Sequence, residues 1–435
     1  MHVTDLNTAM GITYPDVLDR YKCKCGSCRR SCCGSDWDIA VSRAEYERAV
    51  GGGLGDTCTD LAIRGLVRCA EEVRDGVCWA VCKTRPDGRC ALQDPDGRCA
   101  WQKATGSCIG KACNEFPTTT VRVGDGSWRF ATLACEAVVE ALLGREDPIR
   151  VVHGRADVLC VSDPGAGSPV LTISDEDIHR RPLLGLYPRL VDWGMSLLQD
   201  RNLPLGDRLV LLTQFMYRVQ WLEEEGRIDR LVDEAEGFLL PASRKRSLAD
   251  VAPAGAGANA RLTYAAKVLS GESALALPRR DFSLSALSGM GFSFENPLVS
   301  DAPREASAKV VETLRLEVPD MLRHKRTRLM AALESGGRGA FLEHVCVCEY
   351  LRTMTPLTQG GVWESTALFI GWYSLIETCL AAVLPDGFGD EEMVDAVVRV
   401  QRIIAHGLGR ADGILDWMSR VGMDAPSAVA VLARS

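Results

Sequence analysis

Apolar residues recur every three to four positions over most of the second half of the chain, a pattern typical of helices that bury one face. The periodicity is clear in Tyr187–Asp200, Asp207–Leu222 and Ile228–Leu240, and an acidic run that begins at Ser174 caps the start of this region. Further helices are predicted at Glu305–Glu317, Asp320–Glu334, Arg338–Met354, Val362–Leu384 and Glu391–His406. We therefore expect the chain from residue 151 onward to be mostly helical.

The first part of the chain has a less regular pattern. Asp38–Val41 alternates as a short strand does, and Ser42 with Glu45 forms a capping box that starts a helix over Ser42–Val50. Three further predictions are a helical segment at 58–84, a hairpin at Val121–Phe130 and a helix at Leu133–Leu143.

The predicted fold class is mainly α. We expect a cysteine-rich metal-binding module with few short strands at residues 1–150, followed by a mostly helical domain at 151–435. Two long loops are predicted in the second part, near 242–262 and 277–303, where Gly, Ala, Ser and Pro accumulate.

One apolar stretch, Ala367–Leu384, is long enough to resemble a membrane span. Glu377 lies inside this stretch, Asp386 follows it, and no basic flank anchors it. We interpret it as a buried helix of a bundle and expect no membrane insertion.

The composition is that of a globular protein, with 46% hydrophobic and 25% charged residues. The formal net charge of -8 argues against a nucleic-acid partner, because phosphate contacts need a basic surface. The first residues lack the basic and apolar regions of a secretory signal, so a cytoplasmic location is expected.

Cysteines are concentrated in the first part of the chain. Of the 18 cysteines, fifteen lie at or before Cys160. A first group lies within Tyr21–Trp37 and comprises Cys23, Cys25, Cys28, Cys32 and Cys33. A second group comprises Cys78, Cys82, Cys90, Cys99, Cys108 and Cys113. Closely spaced thiolates can converge on one soft metal centre at little cost in loop entropy, so we favour a metal site. Free thiols or a structural zinc knuckle are the alternatives.

Two nearly identical turns present cysteines of the second group. Arg85–Cys90 and Asp94–Cys99 both contain the run Pro-Asp-Gly-Arg-Cys, in which Asp-Gly forms the turn and the cysteine follows at a fixed distance. Such turns are also ordinary hairpins, but the repeated cysteine favours a pair of metal-binding knuckles.

Other patterns that could carry chemistry are weaker. His344 and His406 lie among apolar residues of predicted helices, and Cys346 and Cys348 are too close in sequence to share one helix face, so all four are interpreted as structural. Gly255-x-Gly257 and Gly289-x-Gly291 lack the strand and helix of a nucleotide-binding fingerprint, which leaves a cofactor pocket unassigned.

The cysteine spacing resembles that of a known family. Cys23-x4-Cys28-x3-Cys32-Cys33, followed by Trp37 and Tyr46, is similar to the N-terminal signature of the flagellin lysine-N-methylases (FliB-like proteins). The second segment also fits, with Gly97-Arg98-Cys99 and Cys113-Asn114-Glu115-Phe116-Pro117, and Cys135 falls where that family has a cysteine after a short strand. Departures from the family pattern are the additional cysteines Cys25, Cys78, Cys82 and Cys108.

The resemblance implies a cytoplasmic enzyme that moves methyl groups from S-adenosylmethionine to lysine side chains of flagellin. It also implies a cysteine-ligated iron–sulfur cluster of the 4Fe-4S type, with zinc as the alternative metal. The candidate metal ligands are Cys23, Cys28, Cys32, Cys33, Cys90, Cys99 and Cys113. No residue is assigned as catalytic or as binding S-adenosylmethionine.

Two functions of other classes fit the same cysteines. One is a non-catalytic metal protein that transfers electrons, and it predicts no binding of S-adenosylmethionine. The other is a zinc-stabilised interaction scaffold, which predicts a colourless protein that unfolds when the metal is chelated.

Overall fold

The computed structural model describes residues 12–34, 39–52, 54–73, 78–86, 88–110, 113, 116–123, 126–154, 171–249, 318–353, 361–385, 387–407, 429–430 and 432–433. The described chain is mostly helical, with a few short strands in small sheets, which confirms the predicted mainly α class. It divides into two compact units. The first comprises Met1–Ala141 and Arg150–Thr172, and the second Leu142–Ile149 and Ile173–Ser435.

The sequence predicted a single boundary at residue 150, and the observed division differs from it in detail. Ile149 is buried, and it exchanges two backbone hydrogen bonds with the Gln199 side chain, at 2.7 and 3.1 Å, which ties it to the second unit. The next residues, Val151–Gly154, form a strand that pairs with Ile12–Pro15 of the first unit. The chain therefore passes from one unit to the other more than once.

The strands form two sheets. They are β1 (Ile12–Pro15), β2 (Ala40–Val41), β3 (Leu66–Val73), β4 (Cys78–Cys82), β5 (Thr118–Val123), β6 (Gly126–Ala131), β7 (Val151–Gly154) and β8 (Leu171–Ile173). The larger sheet has the order β7-β1-β6-β5-β8, in which β1 and β6 are parallel and β5 and β6 form the predicted hairpin. The smaller sheet has the order β2-β4-β3 and is antiparallel.

The helices of the first unit are short. They are α1 (Val17–Arg20), α2 (Arg43–Val50), α3 (Asp56–Gly65), α4 (Ala100–Thr105) and α5 (Glu136–Glu140). The capping box of Ser42 and Glu45 at the start of α2 is confirmed. The helical prediction for 58–84 is wrong after Gly65, because β3 pairs with β4, which lies farther along the chain, and this pairing outweighs the local helical spacing.

The second unit consists of helices described as α6 (Asp175–Arg180), α7 (Tyr187–Leu198), α8 (Leu205–Glu224), α9 (Leu231–Leu239), α10 (Pro241–Ala249), α11 (Val318–Ser335), α12 (Phe341–Arg352), α13 (Val362–Val383) and α14 (Asp390–Gly407). The cap at Ser174 is confirmed. The loop predicted near 242–262 is wrong at its start, because α10 continues to Ala249. The loop at 277–303 and the helix at Glu305–Glu317 lie outside the described residues.

Helix α13 lies at the centre of the second unit and packs against α8, α11, α12 and α14. It contains the apolar stretch that resembled a membrane span, and most of its side chains are buried. Its one acidic residue within that stretch, Glu377, pairs with Arg326 of α11. Over the described residues, no helix is long and apolar enough to cross a membrane.

Candidate metal centre

The two cysteine-rich segments of the first unit pack directly against each other. The Cys90 backbone N–H donates to the Cys33 carbonyl at 2.7 Å. At a second point the two backbones nearly touch: a Cβ on Gly26 would lie 2.3 Å from the Asp96 carbonyl oxygen and 2.8 Å from the Gly97 carbonyl carbon. A glycine is required here because any side chain would separate the segments. The fold thus brings together cysteines that are distant in sequence.

The two Pro-Asp-Gly-Arg-Cys runs form matching turns. In each turn the glycine N–H donates to the carbonyl of the residue three positions earlier at 2.9 Å, and both glycines, Gly88 and Gly97, have a φ of 80°. Each turn closes on its own bridge, Thr84 with Cys90 and Gln93 with Cys99. The equivalent geometry places Cys90 and Cys99 at corresponding positions, as the repeat predicted.

An ion pair fastens the first cysteine segment to the start of α5. Lys24 Nζ lies 2.5 Å from Glu136 Oε1 and 2.7 Å from Glu140 Oε1. Glu136 is almost fully buried and also accepts the Arg30 backbone N–H at 3.1 Å. Burial raises the pKa of Glu136, but Lys24 and the backbone N–H groups outweigh it, so the pKa is lowered on balance and the carboxylate stays charged.

All seven cysteines that the sequence proposed as ligands lie in one network of thiols. Cys33 contacts Cys32, and the charges of Cys90 and Cys113 act on it. In turn the charges of Cys99 and Cys90 act on Cys113. The charges of Cys23 and Cys32 act on Cys28, so each of the seven cysteines interacts with at least one other. The structure therefore gathers the proposed ligands, which lie up to ninety residues apart in sequence, into one region.

Burial and mutual repulsion disfavour thiolates in this network. Burial raises the pKa of Cys28 to about 11, and the nearby Glu136 and Cys23 add to the effect. Burial likewise raises the pKa of Cys113 well above its usual value, with further contributions from Cys108 and Cys99. Several thiolates cannot coexist here unless a cation neutralises them, which is the condition that a bound metal satisfies.

Cys90 is the exception among these thiols. A hydrogen bond from the Cys82 thiol lowers the pKa of Cys90, and the Leu92 amide and the Arg85 guanidinium act in the same direction. The same contact raises the pKa of Cys82, which keeps its proton. Of these two thiols, Cys90 is the one whose thiolate form the Leu92 amide and the Arg85 guanidinium stabilise.

A backbone amide also supports the first cysteine of the chain. The Cys25 N–H points to Cys23 Sγ at 3.4 Å, and Cys25 adopts a φ of 52°, which is rare for a residue other than glycine. Amide groups directed at sulfur occur around protein-bound iron–sulfur clusters. This geometry suits Cys23 as a ligand.

Two buried cysteines are among those of the network that sequence analysis left outside the ligand set. Cys82 ends β4 and is 5% exposed; Cys135 directly precedes α5 and is 8% exposed. Burial raises the pKa of Cys135 to about 12, and the charges of Cys28 and Cys32 contribute to this increase. The alternation of Cys78–Cys82 was the sequence signal for a strand that would bury Cys82. No local pattern placed Cys135 near Cys28.

The other candidates have structural surroundings. His344, Cys346 and Cys348 are buried in α12, as expected for core residues. Tyr46 packs against the hydrophobic cluster of the first unit that contains Cys82. The side chains of His406 and Cys78, and both glycine pairs considered for nucleotide binding, lie outside the described residues.

The donors fit a soft metal in kind, since cysteine thiols are the usual ligands of zinc and of iron–sulfur clusters. However, within the part of the chain that the structure describes, no three Cys, His, Asp or Glu side chains are already arranged to hold a metal ion. Binding would therefore require the thiols to draw closer together.

A cavity of about 250 Å³ lies in the second unit. Its walls are mostly apolar, formed by residues such as Leu329, Leu384 and Phe388, and Lys325 and Arg328 supply positive charge. S-adenosylmethionine carries a carboxylate beside its sulfonium and ammonium groups, so positive charge in the lining neither favours nor excludes this cofactor. The cavity is therefore not assigned to the cofactor.

Comparison with protein-family models, with curated proteins and with solved structures found no match for this chain.

Proposed function

We propose that this chain is an iron–sulfur protein that transfers methyl groups from S-adenosylmethionine to lysine side chains of flagellin. The observation that supports the metal centre is the packing of residues 23–33 against residues 82–113, which gathers the cysteines into one partly buried network. Methyl transfer to flagellin rests on the resemblance of the cysteine spacing to the flagellin lysine-N-methylases.

The cluster would be held by cysteines chosen from the seven candidates and would lock the two segments in place when bound. The chain itself contributes the surroundings of this centre. The ion pair of Lys24 with Glu136 fixes the first segment, and the Arg85 guanidinium offsets part of the thiolate charge near Cys90. Both contacts lie beside the thiols, where outer-shell groups orient metal ligands.

The reaction places one further demand on the enzyme. A lysine amine has a pKa of about 10.4 and is protonated near neutral pH, so it must lose a proton before it can attack the sulfonium methyl group. The net charge of -8 favours the approach of a basic substrate segment. The base that accepts the proton is not assigned among the described residues.

The first experiment is an absorbance spectrum with iron and sulfide analysis on anaerobically purified protein. A brown protein with matched iron and sulfide supports the cluster. The protein is then incubated with flagellin and methyl-labelled S-adenosylmethionine, and mass spectrometry of the flagellin should show labelled methyl-lysine. Cys90→Ser should lose both metal and activity, whereas Cys379→Ser, in α13 of the second unit, should keep them. An iron-loaded protein that transfers no label would refute the methylase.

A zinc-bound scaffold is the second candidate. It is favoured by the packing of Cys90, Cys99 and Cys113 against a small hydrophobic cluster, since small cores often depend on a structural metal. It predicts a colourless protein with stoichiometric zinc that unfolds on chelation and does not methylate flagellin. The metal analysis together with the flagellin methylation assay distinguishes the two functions.

A further inference from the structure

The cavity of the second unit differs in character between its floor and its rim. The floor is apolar: Leu329 of α11, Ala381 of α13 and Phe388 of the turn after α13 are each 9% exposed or less. The rim carries two cations, Lys325, which is half-buried, and Arg328, which is exposed. We refer to these two residues as the rim cations. An apolar space with positive charge at its entrance suits a ligand that has an apolar tail and an anionic head.

Helix α11 supplies one wall of the cavity as a single stripe. Its lining residues are Lys325, Arg328, Leu329 and Ala332, and their spacing places them on one face of the helix. The rim cations come first along this stripe and the two apolar residues follow. At a rise of about 1.5 Å per residue, the stripe is about 10 Å long. Charge is therefore confined to one end of the wall.

The other wall consists of the end of α13 and the turn that leads to α14. Its lining residues are Ala381, Leu384, Pro385, Gly387 and Phe388. Gly387 has a φ of 73°, a left-handed conformation that favours glycine, and the chain turns here so that Phe388 returns to the cavity. The Arg338 guanidinium lies 6.0 Å from the centre of the Phe388 ring. This wall is apolar over its whole length.

The acidic groups near the cavity have cations of their own. None of the described lining residues is acidic. Glu377, one helical turn before the floor residue of α13, pairs with Arg326. Asp390, at the start of α14, lies 2.5 Å from Arg338. Neither carboxylate depends on the rim cations, so the charge at the entrance complements an anion that comes from outside.

We propose that this cavity binds a carboxylate with a short aliphatic tail, that is, a medium-chain fatty acid. The carboxylate would lie at the rim cations, since a guanidinium suits the two oxygens of a carboxylate. The tail would lie against the apolar floor. The cavity volume of about 250 Å³ is small for a ligand pocket, which favours a short chain.

This inference goes beyond the proposed function and does not depend on it. The cavity belongs to the second unit, whereas the cysteine network lies in the first. Loss of metal binding or of methyl transfer would therefore leave the inference untouched, and its own failure would leave the proposed function untouched.

The test is isothermal titration calorimetry of the full-length protein with sodium octanoate, and we expect saturable binding of one octanoate per chain. Hexanoate, which is shorter by two methylenes, should bind about tenfold more weakly, because each methylene buried against the floor strengthens binding about fourfold. Octylammonium has the same tail and the opposite charge, and it should not bind. These comparisons need no variant. Absence of octanoate binding, or equal binding of octylammonium, would overturn the inference.

Variants then locate the site. Replacing both rim cations, with Lys325→Gln and Arg328→Gln, should weaken octanoate binding about tenfold and reduce the dependence of the affinity on salt. The matched control is Lys245→Gln with Arg246→Gln, which removes two exposed cations of α10 that do not line the cavity, and its affinity should stay within about twofold.

Ala332→Leu, which adds bulk inside the cavity, should also weaken octanoate binding. Circular dichroism verifies that each variant is folded. Unchanged octanoate affinity in the folded variant that lacks both rim cations would place the ligand elsewhere and refute the inference.

Discussion

Lys24 Nζ lies 2.5 Å from Glu136 Oε1, and these two residues directly follow Cys23 and Cys135. The ion pair therefore connects two cysteine positions that are remote in sequence. Glu136 is almost fully buried. Removing the cation that pairs with a buried carboxylate strongly lowers the free energy of unfolding, so the contact with Lys24 stabilises the fold here.

Replacing Glu136 by Gln should weaken metal binding. The amide keeps the shape of the side chain but loses the charge that holds Lys24, so the first segment becomes less ordered around the thiols. We expect the affinity for zinc to fall by about tenfold, as is typical for groups that orient metal ligands. Competition with a chromophoric chelator measures this change.

The matched control is Glu140→Gln. Glu140 also contacts Lys24, at 2.7 Å, but its side chain is 40% exposed. Solvent screens an exposed pair, so the affinity should change by about twofold or less. Equal effects of the two substitutions would contradict a positioning role for Glu136.

Gly26 is predicted to tolerate no side chain. A Cβ there would lie 2.3 Å from the Asp96 carbonyl oxygen, and backbone cannot move aside as a flexible side chain can. Gly26→Ala should lower the free energy of unfolding by about 2 kcal/mol, as overpacked sites do. Gly237→Ala, within a helix where nothing lies within 4 Å, should leave stability unchanged or raise it. Chemical denaturation measures the free energy of unfolding of both variants. An unchanged value for Gly26→Ala would disprove the close packing.

The contact at Gly26 also shows where sequence analysis reached its limit. The helices α7, α8 and α13 were predictable because their apolar spacing is local, and the hairpin of β5 and β6 because its strands are adjacent. Sequence patterns contain no sign that Gly26 docks on Gly97 or that Lys24 meets Glu136, since these contacts depend on the whole fold. For the same reason the proximity of Cys135 to Cys28 was missed, and 66–73 and 78–82 were predicted as helix although they form strands.

The buried carboxylate of Glu343 should be one of the strongest polar determinants of stability in the second unit. Burial raises its pKa, but Arg201 and Arg208 more than offset this, and the Arg208 Nη1 to Glu343 Oε2 distance is 2.6 Å. Arg208→Met should cost about 3 kcal/mol, because the carboxylate loses a desolvated partner. Arg180→Met removes an exposed pair with Glu176 and should cost less than about 0.5 kcal/mol. Thermal or denaturant unfolding measures both variants. If the two lose a similar free energy of unfolding, burial does not strengthen the ion pair of Glu343.

His344 should make the stability of the second unit depend on pH. Burial lowers its pKa from 6.5 to about 4, against the opposing charge of Glu343. The unfolded chain takes up a proton as pH falls below about 6.5 and the folded chain does so only near pH 4, so stability falls through this window and is unaffected above it. The loss should reach about 3 kcal/mol at the acid end. His344→Gln should flatten this part of the profile, measured by urea unfolding; an unchanged slope would contradict the assignment.

Metal binding should release protons. The thiols of Cys28, Cys99 and Cys113 have raised pKa values, so they are protonated at neutral pH and must lose their protons to become ligands. Addition of zinc to the metal-free chain at pH 7 should therefore release about three or four protons per ion, detectable with a pH indicator in weak buffer. It follows that affinity must fall as pH decreases, because protons then compete with the metal for each sulfur. A release of less than one proton per zinc would mean that carboxylates, which are already ionised, hold the metal in place of the cysteines.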